Sequence, residues 1–156
     1  KDNLARLDYT AETIVADAGN YTPDAPFDGV LLDAPCSATG TFRRHPEVIW
    51  HRSAADVAGR VRLQKSLLTN AFRCLEAGGV LIYCVCSLEP AEGESQVEWV
   101  LENLPGIELW PVTPDELPEL TEAVTARGLV RTHPGMAPGG REGGMDGFFV
   151  ARFRRR

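Results

Sequence analysis

The sequence predicts an α/β domain with a mainly parallel sheet, because apolar runs alternate with segments of helical period. Two of the runs, "GVLLDAP" (29–35) and "VLIYCVCS" (80–87), are apolar almost without a break, the pattern of strands buried on both faces. Polar or reactive residues close the runs at the same end: Asp17, then Asp33 and Cys36, then Cys86. Ligands of parallel sheets lie beyond the carboxyl ends of the strands, so this clustering predicts a site there. Taken singly, a strand-end Asp caps a turn and a buried Cys is a small hydrophobe. The 156 residues fit one domain, and no stretch approaches the ~20 apolar residues of a membrane span.

The elements follow in order. Residues 1–8 read as the last turns of a helix, and with no initiator Met the chain is expected to be a piece of something longer. "ETIVADA" (12–18) is a short β-rich run, and "YTPDAPFD" a turn built from Pro and Asp. Ser53, with Asp56 three residues on, predicts a helix N-terminus. Val57, Val61, Leu63, Leu67, Leu68, Ala71, Phe72 and Leu75 then recur at helical spacing. "EAGG" (76–79) is expected to end that helix on a left-handed Gly. "PAEGESQVEWVLENL" (90–104) opens with Pro and acids, as a helix does. "IELWPV" (107–112) and "GFFVARF" (147–153) read as strands, separated by a Pro- and Gly-rich stretch with little periodicity.

Net charge is −6, yet its distribution is polarised. Residues 41–73 carry seven cations against two acids, whereas 89–122 carry ten acids and no Lys or Arg. The acidic half reads as a solvated face. The basic half reads as a phosphate-facing surface. The four cysteines contain no C-x2-4-C pair, which speaks against structural zinc. Cys84 and Cys86 share a strand face and are poorly placed to pair with each other. All four read as reduced thiols of a cytoplasmic protein, with Cys74 and Cys84 serving as packing.

"DAPCSATGTFRRHP" (33–46) and "YCVCSLEPAEGE" (83–94) together resemble the RNA 5-methylcytosine methyltransferases of the Nol1/Nop2/Sun family, most of all its bacterial Sun or Fmu branch. The resemblance runs from "VADA" through "DGFF". It departs at Val85, where the family usually has Thr, so a side-chain hydrogen bond is lost there. It implies an S-adenosylmethionine-dependent methylation of cytosine C5 in RNA, with 16S ribosomal RNA as partner. C5 is a poor nucleophile; a thiolate adding at C6 activates it, dividing one hard step into two. The resemblance implies Cys86 as that nucleophile and Cys36 as the group that resolves the adduct. Asp33 is expected to face both the cytosine ring and the cofactor, and Asp17 to bind the adenine amino group. Arg43 and Arg44 are the candidates for gripping RNA phosphates and for lowering the thiol's pKa.

The same resemblance implies a truncated Rossmann-like methyltransferase fold of sheet order 3-2-1-4-5-7-6, with one C-terminal antiparallel strand and without its first two strands. Residues 1–156 are then the C-terminal part of a catalytic domain, lacking the cofactor-loop half and an N-terminal RNA-binding domain. "APGGREGG" (137–144) is Gly-rich but follows no strand, so it is not read as a cofactor loop. The chain alone is expected to bind S-adenosylmethionine weakly and to be inactive. The run 12–18, missing its neighbour, is expected to pair directly with the strand at 29–35 or to self-associate with another copy. Two other readings stand beside this one. One is an RNA-binding module of the same fold without catalysis. The other is a DNA-type cytosine methyltransferase in which Cys36 attacks.

Overall fold

The computed structural model describes residues 2–140 and 144–156. After a short helix α1 (Asp2–Leu7), the chain forms β1 (Phe27–Asp33), α2 (Ala54–Arg73), β2 (Leu75–Val85) and α3 (Glu94–Asn103). Three further strands follow, β3 (Ile107–Leu109), β4 (Val130–Thr132) and β5 (Phe148–Arg155). The sheet order is β1-β2-β5-β3, with β4 also on β5. β1 and β2 are parallel, and β5 is antiparallel to β2, β3 and β4. All strands but β5 therefore run in one direction. This is the expected sheet, a parallel set with one reversed C-terminal strand, and its order corresponds to the 4-5-7-6 half of the family pattern.

Side-chain alternation splits the sheet into two faces. Phe149, Ala151 and Phe153 of β5 and Leu81, Tyr83 and Val85 of β2 join Leu68 and Ala71 of α2 and Val97 and Val100 of α3 in the main core. On the other face, Val150 of β5 packs with Ala123, Val130 and Met136 in a smaller cluster. α2 begins where the sequence places it. The Ser53 hydroxyl accepts the Asp56 amide at 3.3 Å, and the Asp56 carboxylate accepts the Ser53 amide at 2.9 Å. This reciprocal cap satisfies two otherwise orphaned donors.

Several expectations change. The helix over 54–73 does not run to "EAGG". It stops at Cys74, whose carbonyl accepts the Phe27 amide at 2.8 Å, and Leu75 already pairs with Phe27. Between the pairs Phe27–Leu75 and Gly29–Val80 the register slips, so residues 76–79 loop out of β2. Gly78 is left-handed, at φ +84°, but inside that bulge rather than at a helix end. The stretch 113–147 contains β4, which its mixed composition conceals. "APGGREGG" overlaps residues 141–143, which lie outside the described residues; Pro138–Gly140 forms a turn in which Gly139 and Gly140 are left-handed.

The run 12–18 is not a strand and does not pair with β1. It is a solvent-exposed coil tied to α2 by Asn70, whose amide donates to the carbonyls of Ala18 (2.9 Å) and Tyr21 (2.8 Å). Glu12, Ile14, Ala16 and Ala18 face β1 and α2 across a cavity of about 360 Å³. With no strand in that gap, the run has no ladder to join and its β-rich composition goes unused. Among the described residues no helix is long and apolar enough to cross a membrane.

Candidate active site

Parallel pairing of β1 with β2 sets Asp33 opposite Cys84, and the Ala34 amide still reaches the Cys84 carbonyl at 3.0 Å. Both chains leave the sheet together just beyond this point. Cys36 and Cys86 then meet, with their sulfurs 3.5 Å apart and each half-buried. The hydrogen bond between the two sulfurs depresses the Cys86 thiol to about 7 and pushes the Cys36 thiol up. Burial opposes the first shift and reinforces the second. The two values belong to the pair rather than to either sulfur alone. Cys84, one step back, is buried; its own burial raises it to about 11. Cys74 caps α2 rather than lying in its body, and is buried too.

The backbone around the pair is interlocked. The Gly40 amide donates to the Cys86 carbonyl at 3.0 Å, and the Gly147 amide donates to the Gly40 carbonyl at 2.7 Å. A Cβ on Gly40 falls 1.9 Å from the Gly147 carbonyl oxygen, so only glycine permits this approach. Beneath the cysteines lies Glu92, fully buried. Its carboxylate accepts the Ser37 amide (2.9 Å), the Ser37 hydroxyl (2.5 Å), the Ser87 hydroxyl (2.6 Å) and the Gln64 side-chain amide (3.1 Å). Gln64 also donates to the Pro35 carbonyl at 3.0 Å and accepts from Gln96 at 3.0 Å. The Glu92 carbonyl receives the Tyr83 hydroxyl at 2.6 Å.

The remaining candidates divide. Asp33 is exposed and lies 3.8 Å from the Cys84 sulfur, with no hydrogen bond to Cys36 or Cys86. Asp17 is turned onto its own loop, accepting the Gly19 amide at 2.9 Å and the Asn20 side chain at 3.0 Å. Arg43 and Arg44 sit at the same corner as the thiols but meet Asp146, at 3.6 Å and 2.5 Å. Their guanidinium groups hold the Asp146 carboxyl below the usual range. Sequence reasoning assigned no role to Glu92, Gln64, Gly40 or Asp146. The acidic stretch is also less solvated than expected. Glu92 is buried, Glu94 pairs with Arg131 at 2.7 Å, and Glu116 with Arg152 at 2.7 Å. Among the described residues no cluster of His, Cys, Asp or Glu is placed to hold a metal ion. Among the described residues no glycine loop follows a strand and opens a helix.

The fold has counterparts among solved structures. PH0851 superposes with a TM-score of 0.79 at 30% identity, covering 99% of this chain and 33% of that one. A methyltransferase homolog protein from Pyrococcus horikoshii gives 0.64 at 30% identity, covering 85% of this chain and 40% of that one. NSun6 from the same organism, solved with SFG, gives 0.75 at 24% identity, covering 99% of this chain and 37% of that one, and speaks for the fold. The fold is that of a truncated methyltransferase, of which the described residues form the 4-5-7-6 half of the sheet. The chain belongs to the 16S rRNA methyltransferase RsmB/F family, whose model matches residues 1–154. Among its relatives, the ribosomal RNA small subunit methyltransferase B of Sodalis glossinidius is 40% identical over 97% of this chain and 32% of its own length. That of Pseudomonas putida is 39% identical over 97% of this chain and 33% of its own. The chain thus spans about a third of the curated relatives it matches.

Proposed function

We propose that this chain is the cysteine-bearing part of an enzyme that methylates cytosine C5 in 16S ribosomal RNA. Cys86 is the nucleophile and Cys36 the group that releases the product. The observation that carries this reading is the 3.5 Å contact between the two sulfurs, with Cys86 held near pH 7. A free thiol titrates at about 8.5 and is mostly protonated at neutral pH. Cys86 is ionised in a useful fraction because its neighbour keeps a proton for it.

The thiolate adds to C6, and the electron pair displaced from the C5–C6 bond makes C5 nucleophilic. S-adenosylmethionine supplies an electrophilic methyl group; Asp17 and Asp33 are the residues here that would hold it. Once Cys86 is bound in a thioether it no longer accepts the Cys36 S–H, and its charge no longer opposes ionisation of Cys36. Cys36 then becomes the stronger acid and, ionised, the base at hand for the C5 proton. Loss of that proton re-forms the double bond and expels the Cys86 thiolate. The target base must leave its stack to reach the sulfur, which single-stranded or looped RNA makes easier. Arg43 and Arg44 would meet its flanking phosphates, after release from Asp146.

The test uses a full-length protein with Cys36→Ala and Cys86→Ala variants, substrate RNA and S-adenosylmethionine, read on a denaturing gel. Cys36→Ala is expected to accumulate a protein–RNA adduct and Cys86→Ala to give none. An adduct trapped only in Cys86→Ala reverses the roles and favours the DNA-type order. No adduct and no methyl transfer in any version leaves an RNA-binding module.

A further inference from the structure

Glu92 is the one fully buried acid among the described residues, and no cation pairs with it. Buried carboxylates are costly unless hydrogen-bonded, and this one is satisfied by donors from three segments. Two of them bear on the thiols. Ser37 directly follows Cys36, and Ser87 directly follows Cys86. Both hydroxyls converge on the same carboxylate oxygen, at 2.5 and 2.6 Å. The other oxygen takes the Ser37 amide and the Gln64 amide, and Gln64 in turn holds the Pro35 carbonyl, one residue before Cys36. Both cysteine loops are therefore fastened to one side chain, which touches neither sulfur.

We infer that Glu92 is a positioning residue that sets the distance between the Cys36 and Cys86 sulfurs. The inference rests on the proposed roles of those two cysteines. Its role is distinct from theirs, since the carboxylate holds the two loops through Ser37, Ser87 and Gln64 and bonds to neither sulfur. Other titratable or charged groups also act on Cys86: Cys36 beyond β1, Asp33 at its end, Cys84 in β2, and Arg44 across the corner.

Glu92→Gln separates two effects of opposite sign. Removing a buried negative charge makes both thiols more acidic, because that charge disfavours their thiolates. Loosening the clamp weakens the S–H donation from Cys36, the largest influence lowering Cys86, and makes Cys86 less acidic. The experiment titrates the thiolate absorbance of a full-length protein against pH, with Cys86→Ala identifying the signal. The midpoint is expected to rise from about 7 towards the ordinary thiol range. Ser87→Ala is expected to move it the same way by a smaller amount, and serves alone if Glu92→Gln does not fold. In methyl transfer, kcat is expected to fall by roughly tenfold or more with KM for RNA unchanged, as misplacement of reacting groups implies. A midpoint that stays or falls in both variants overturns the inference. The titration needs neither RNA nor methyl donor, so it is read independently of whether the proposed reaction occurs.

Discussion

The 3.5 Å contact with Cys36 lowers the Cys86 thiol to about 7, a value that belongs to the pair. Alkylation of Cys86 should therefore rise with pH through about 7 and level off above it, since the thiolate is the reacting form. In Cys36→Ala the same curve is expected to move up towards about 8.5, the value of an unassisted thiol. Mass spectrometry of the modified peptide against pH checks both. The same closeness makes the pair oxidisable. Excess oxidised glutathione should join Cys36 to Cys86, each disulfide formed yielding two reduced glutathiones. Thiol counting should then fall by two and recover with dithiothreitol, while Cys36→Ala forms no such bridge. The two cysteines are legible in the sequence because each breaks an apolar run. Glu92 is not: it stands among ten acids over 89–122, and only the fold removes it from water.

At the scale of elements, two close approaches govern the site. The cap of α2 is local chemistry, readable in Ser53 and Asp56, and Ser53→Ala should cost about 1 kcal/mol in denaturant unfolding. The contact of Gly40 with Gly147 brings together residues far apart in sequence, and no local pattern announces it. Gly40→Ala should cost about 2–3 kcal/mol, because the added methyl meets a backbone oxygen that has no space to yield. It should also raise the Cys86 midpoint, since the Gly40 amide holds the Cys86 carbonyl. A variant as stable as the parent would show that the 40–147 contact opens easily. The helix end at Cys74 teaches the same lesson in reverse. Gly78 and Gly79 favour a cap, but pairing of Leu75 with Phe27 ends the helix first. Tertiary pairing overrides the local signal.

For the molecule as a whole, the mainly parallel α/β class follows from the alternation of apolar runs with helical segments, and the strand order from the family resemblance. The state of the run 12–18 does not, because a strand exists only where a neighbour offers hydrogen bonds. β1 consequently presents an edge unpaired among the described residues, with Leu31 70% exposed. Such an edge is a template for another chain. Residues 1–156 alone should associate as concentration rises in sedimentation experiments, and Leu31→Lys should suppress this. A monomer throughout would show that the coil at 12–18 shields the edge. The other molecular feature is the corner where Arg43 and Arg44 meet Asp146. A polyanion arriving there finds the Arg44 guanidinium already engaged by Asp146. It must trade places with a carboxylate that is bound in advance and never diffuses away. If RNA binds at this corner, binding is an exchange reaction with a tethered rival. Asp146→Asn should tighten RNA binding, and should tighten it most for the wrong RNA.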